Sequence, residues 1–425
     1  MNKIFKVIWS KSKQCYVVVS EMAKNTTGKK KIIVGAILAV LATQGYSVMA
    51  AGAGTPATSN NVWGKTTPGG VAIGPNTEAL GASAVDPATG KARVAPSIAI
   101  GLSSRSEGLD TITIGIGAGN SKSYGISMGK QTNVTGDYGI AIGYQTSAMS
   151  DHAVAIGEQT RAPKMGATVM GVSARGYGQG SVSLGWQALA GADVYGSGIN
   201  IQSNPYTDSS TDINNYQKWG DTAIGLRAVA TGGNATALGR SARAAAENAI
   251  AIGGGNGDNF NNNTEKTEAT ADKAVAIGYN AHASASDALA IGSKANASNS
   301  SSIAIGQESA ASGLKAITMG FKSVASDENA AAYGNAALAS GKHSVALGAN
   351  TQATVEGGVA LGAGSKANTA ATAGYNPNTG RSDTFTGLSS NTLTSTWAAV
   401  SIGDGTNTRQ LTGFAAGTNN TDAVN

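Results

Sequence analysis

The chain has 425 residues, a formal net charge of +5, 59 Gly, and only 13% charged and 5% aromatic side chains. Side chains this small cannot fill the thick core of two or three ordinary globular domains, so any fold must bring backbones close together. Ile, Val and Leu nevertheless recur in register, a regularity that a disordered Gly/Ser/Asn-rich linker has no reason to keep.

The charge is unevenly placed. Residues 1–50 carry eight Lys and one acid, Glu21, which leaves 22 basic against 24 acidic residues in the remainder. The basic balance therefore belongs to the N-terminal segment and gives no argument for nucleic acid as a partner. The single Cys, Cys15, lies there too, so residues 51–425 can hold neither a disulfide framework nor a thiolate metal site. Lys29-Lys30-Lys31 precede an apolar run from Ile32 to Leu41 and then Val48-Met49-Ala50. That order reads as a signal peptide whose hydrophobic region is too short to span a bilayer. Cleavage is expected after Ala50, with Ala51 as the alternative.

Before it stands MNKIFKVIWSKSKQCYVVVSEMAK, residues 1–24. This segment, with NKIFKVIWSK followed by VVSE, resembles the extended signal peptide region of large type V secreted proteins of Gram-negative bacteria. The resemblance implies passage through the inner membrane, the periplasm and an outer membrane.

From residue 70 onward one phrase repeats. Gly ends an A-I-G-like triplet at 101, 115, 129, 143, 157, 171 and 185, then at 225, 239 and 253, then at 278 and every fourteenth residue to 362. With Gly74 this makes eighteen marked turns. A period of 14 is too short for helical or leucine-rich repeats and suits a solenoid coil of two short strands and two turns. With the marker Gly as position 0, positions −3 and −1 are large and apolar (Ile140/Ile142, Ile303/Ile305) and −2 is usually Ala (Ala141, Ala304). Residues two apart on a strand share a face. The alternation predicts −3 and −1 pointing into the coil, with Ala at −2 forming a flat outer face that a neighbouring chain can approach. Three apolar positions in a row indicate a strand buried on both sides. Positions +3 and +5 are small (Ala295/Ala297) between polar neighbours, which predicts a one-sided second strand. Gly143, Gly306 and their equivalents are expected to supply a positive φ or room for a corner.

Three steps depart from fourteen, which places insertions near 75–97, 186–221 and 254–273. The second carries Tyr206, Tyr216 and Trp219, candidate binding anchors if exposed and otherwise a cover for a broken strand stack.

The phrases SIAIG, HAVAIG, KAVAIGYNAHASAS and HSVALGANTQA resemble the head repeats of YadA-like trimeric autotransporter adhesins. The similarity covers roughly residues 70–365. It implies an all-β, left-handed parallel β-roll solenoid of 14-residue coils, three rolls packing about a threefold axis. VSIGDGTNTRQLTGFAAGTNNTDAVN, residues 400–425, is similar to the family's neck, and 366–399 resembles the connector that precedes it. The resulting organisation is a leader over 1–50, a linker over 51–69, head repeats over 70–365, a connector over 366–399 and a neck over 400–425. The family normally continues into a stalk and a membrane anchor, so the sequence reads as the N-terminal fragment of a longer protein.

Catalytic and cofactor chemistry finds no constellation. His152 and His343 fall at −5 and His282 at +4 of well-separated coils, and Asp151, Asp272 and Asp287 lack the GGxGxD spacing of calcium-binding rolls. No phosphate-binding glycine loop occurs. The reading is a non-enzymatic adhesin head without cofactor, homotrimeric, displayed on a Gram-negative surface and passed through the outer-membrane assembly machinery in transit. Family resemblance implies a host extracellular matrix protein or cell-surface receptor as partner. A structural spacer or surface-layer passenger is the alternative, and an ice- or glycan-binding solenoid a more distant one.

Overall fold

The computed structural model describes residues 5–10, 15–20, 65–66, 70–81, 83–85, 92–94, 96–191, 220–255, 265–374, 394–413, 415 and 417. Two compact units divide the chain at Ala50/Ala51. In the first, Phe5–Ser10 pairs antiparallel with Cys15–Ser20, with Trp9 opposite Tyr16.

In the second unit each fourteen-residue repeat is one coil. A three-residue strand ending just before the marker Gly, such as Ile112–Ile114, pairs parallel and in register with its counterparts one coil away, Ile98–Ile100 and Ile126–Met128. A two-residue strand at +4 and +5, such as Asn296–Ala297, does the same with His282–Ala283 and Ala310–Ala311. Two parallel ladders therefore run the length of the solenoid. At about 4.8 Å per strand spacing, eighteen coils extend on the order of 90 Å.

Four small side chains fill each coil. In the coil marked by Gly239 they are Ala235, Ala237, Ala242 and Ala244, all fully buried. From Ala190 to Ala367 the buried alanines form one cluster, shared with buried Ser and Thr such as Ser309, Thr318 and Ser344. The largest fully buried side chains anywhere in the coils are Val, Asn and Thr. Beside the two valines, glycine makes room. A Cβ on Gly139 would meet Val134 Cγ1 at 2.8 Å, and one on Gly176 would meet Val169 Cγ2 at 2.5 Å. Glycine thus offsets the added volume of the valines, as close packing demands.

This arrangement reverses one expectation. Ala141, Ala304 and the other −2 alanines point into the coil, while Ile140, Ile142, Ile303 and Ile305 point outward and are half-buried. The alternation was legible, but its direction is set by closure. Fourteen residues close so tightly that the space between the two ladders is filled mostly by Ala, Ser and Thr, with Val only beside glycine, so the larger aliphatic side chains take the outer face. The one-sided second strand stands as expected, with Ala295 and Ala297 buried and Asn296 exposed between them.

Two corners join the strands. The marker glycines adopt φ of +122° to +150° throughout coils 74–348, and they stack on one another. A Cβ on Gly143 would lie 1.8 Å from the carbonyl oxygen of Gly157. Position +2 and position −5 are also left-handed, for example Lys294 (φ 58°) and His343 (φ 57°). Non-glycine residues occupy most of them, which the marker rhythm alone does not reveal.

The insertions are narrower than their expected bounds. Ser83–Val85 and Ala92–Val94 form an antiparallel hairpin emerging from the second corner, while Glu78–Ala79 still pairs regularly with Arg105–Ser106. Leu189–Ala190 pairs with Val229–Ala230 across the second insertion, of which 192–219 lies outside the described residues. Tyr206, Tyr216 and Trp219 fall in that stretch, and Ala50 and Ala51 are likewise outside the described residues. Glu268–Ala269 pairs with Arg243–Ala244, which confines the third insertion to 256–266, at the first corner, with 256–264 outside the described residues.

Candidate functional site

Because the branched residues face outward, the long ladder carries an apolar stripe from Val71 to Leu361, interrupted at −3 only by Thr168, Thr222, Thr236 and Ala331. Its members at −1 are more than a third exposed in places, Leu347 and Leu361 reaching 45%. Position +1 extends the stripe on some coils through Leu102, Ile116, Val172 and Trp186, the last 50% exposed. Two residues wide and eighteen coils long, the stripe offers on the order of 600 Å² of apolar surface, at the upper end of the largest patch a typical monomer exposes.

The opposite, short-strand face is polar and carries ladders of charge. Glu268 lies between Arg243 and His282 in register and bonds Lys266 Nζ at 2.8 Å. Its oxygens are 3.7 Å from Arg243 Nη1 and 3.6 Å from His282 Nδ1. Burial works to raise the pKa of this carboxyl, but bonds from His282 and Lys266, with the nearby Lys266 and Arg243 charges, overcome it and hold the value at about 2. A carboxyl with a lowered folded pKa stabilises above its unfolded value, and that contribution disappears as pH falls toward the folded one. Glu268→Gln is expected to lower the melting temperature at pH 7 and to flatten the loss of stability between about pH 4.5 and pH 2, read by thermal melts across that range.

The C-terminal end of the ladder holds two features that the fourteen-residue rhythm passes over. Val400–Ser401 pairs parallel with Val359–Ala360, and Lys366 N–H donates to Gly403 O at 2.7 Å. The phrase Val400-Ser401-Ile402-Gly403, assigned to the neck by resemblance, therefore closes the solenoid as a nineteenth long strand. The signal was present as another S-I-G phrase, but it stands 41 residues after Gly362. Arg409 then caps the first corner: Nη1 donates to Ser365 Oγ at 2.9 Å and to Ile402 O, and Nη2 donates to Ala363 O. In earlier coils that carbonyl position accepts the +2 N–H of the next coil, as Ala349 O does from Gly364 at 2.8 Å. Arg409 thus supplies donors at a sheet edge where no further coil follows. Trp397 packs against the other corner, its ring 2.6 Å from where a Gly357 Cβ would stand.

Two family descriptions match this chain. The extended signal peptide of the type V secretion system matches residues 1–48. The YadA head domain repeat matches 121–146, 220–242, 230–256, 269–295, 283–309 and 339–365. Among solved structures, the crystal structure of the collagen-binding domain of the Yersinia adhesin YadA is similar at 18% identity, covering 57% of this chain and 83% of that one with a TM-score of 0.16. A comparison with curated proteins finds no match. Leader and coils together define a class: a type V secreted protein whose passenger is a parallel β-solenoid head. The coils are similar to a YadA-type adhesin head, and the leader is that of a type V protein secreted toward the Gram-negative cell surface.

Proposed function

We propose that three copies of this head pack through their outward Ile/Val/Leu stripes and that the assembled rod binds a host extracellular matrix protein by many weak, repeated contacts. The single observation that carries the reading is the stripe itself. Eighteen coils direct their branched side chains away from their own core, and a homo-oligomer is the simplest partner that offers an equally long, equally spaced apolar surface. Repetition then supplies the binding mode, because identical polar faces stacked at a fixed spacing convert weak contacts into avidity. Display outside the cell follows transit through the outer-membrane assembly machinery.

Residues 51–425 form a compact unit of their own and are the material for the test. They are expected to sediment at three times the chain mass and to bind at least one protein of an immobilised matrix panel. Binding should weaken steeply when the head is presented at low surface density. Trimers that bind no matrix protein or host cell would favour a spacer role. A folded monomer would remove the basis of the proposal.

A further inference from the structure

The apolar members of the core fall into three clusters along the solenoid, Ala72 to Ala99, Val134 to Ala174 and Ala190 to Ala367. The two gaps centre on the coils marked by Gly115 and Gly185. In the first, the inward positions −4, −2, +3 and +5 hold Thr111, Thr113, Ala118 and Asn120, and in the second Ser181, Ser183, Ala188 and Ala190. An independent observation sets the same two coils apart. Thr113 Oγ1 and Asn120 Nδ2, and likewise Ser181 Oγ and Ser183 Oγ, are buried without a hydrogen-bond partner among the described residues. Core hydroxyls elsewhere are mostly bonded. Ser127 Oγ pairs with Thr132 Oγ1 at 2.8 Å, Ser309 Oγ donates to Gly306 O at 2.9 Å, and Thr351 Oγ1 donates to Gly348 O at 2.8 Å. The backbone ladder crosses both coils without a break, so they differ from their neighbours in the interior alone.

We infer that the head is three cooperative blocks in series, joined by two yielding coils, at Gly115 and Gly185, that open locally before the blocks do. A buried polar atom that has lost water without gaining a partner disfavours the closed coil, and opening restores its hydration. A solenoid coil touches only its two neighbours, so this cost stays local and is not shared by the whole fold. The block from Ala190 to Ala367 has the longest cluster and ends at the Arg409 cap, and it opens last. Loading the rod by heat or by tension therefore detaches the N-terminal coils at Gly115 and the middle block at Gly185, while the C-terminal block keeps its fold.

The test uses residues 51–425 and amide hydrogen exchange read by mass spectrometry. Peptides carrying the Gly115 and Gly185 amides, which donate to Ile100 O and Met170 O, should exchange at least tenfold faster than those carrying the Gly292 amide, which donates to Ile277 O. Ser181→Ala with Ser183→Ala gives coil 185 the interior that Ala235 and Ala237 give the coil of Gly239. Exchange at Gly185 should then slow at least tenfold, with exchange at Gly115 unchanged. The converse pair, Ala288→Ser with Ala290→Ser, transplants the two serines to the coil of Gly292 and should make that coil fast. Uniform exchange along the parent's coils would overturn the inference. Fast exchange at Gly185 that the alanine pair leaves unaltered would assign it to the neighbouring insertion instead of the hydroxyls, and would overturn it equally.

Discussion

Gly143→Ala is expected to destabilise the solenoid by about 3 kcal/mol or more, combining a strained positive φ with overpacking that no side-chain rotation relieves. The φ of Gly143 is +138°, and the added carbon would stand 1.8 Å from the Gly157 carbonyl oxygen and 2.7 Å from its carbon. Both atoms are backbone, held by the in-register ladder from Ile140 to Tyr144 against Val154 to Glu158. Relief therefore requires opening the corner between two coils. The measurement is a chemical or thermal melt of residues 51–425. Gly364→Ala is the control, because a Cβ there meets nothing within 4 Å, so only the φ cost (φ +73°) applies. The gap between the two variants isolates the stacking of marker glycines. If they lose stability equally, the stack contributes nothing and conformation alone explains the glycines.

Ile305→Lys and Ala304→Leu form the second comparison, and they should fail in opposite ways. Ile305 is half-buried on the outward stripe, whereas Ala304 is fully buried inside the coil beside Ala297 and Ala311. Lys at 305 leaves the core untouched, so the chain should keep its β circular dichroism. It removes about 1.5–3 kcal/mol of apolar burial per chain from the proposed interface and inserts an unpaired charge there. Sedimentation should shift from three chains toward one, with matrix binding falling in proportion. Leu at 304 adds more volume than any side chain fully buried between the two ladders, and the expected result is lost folding rather than lost association. A well-folded Ala304→Leu that merely dissociates would reverse the assignment of faces. Unaltered sedimentation of Ile305→Lys would remove the stripe from the interface.

Much of this architecture could be read directly. The step from Gly278 to Gly362 announces coils, and the −3/−2/−1 triplet announces a short strand with two unlike faces. The small residues at +3 and +5 locate a second strand and its buried side. What the triplet could not convey was which face closes inward, since Ile140-Ala141-Ile142 alternates identically in either orientation. The left-handed corners at +2 and −5 were equally silent, because Gln131, Tyr138 and Lys294 are not residues that advertise a positive φ. A ladder of stacked rings is hidden by the same blindness: Tyr124, Tyr138 and His152 are fourteen residues apart and become neighbours only once the coils stack.

The amino-acid sequence by itself determined the period, the strand positions, the marker glycines and the type V leader, because each of these is local or strictly repeated. Tertiary structure alone decided the direction of the isoleucines, the closing role of Val400–Ser401 and the cap made by Arg409. The physical reason is closure: the distance between two ladders and the fate of an unpaired edge are properties of the wound chain, and no single repeat contains them.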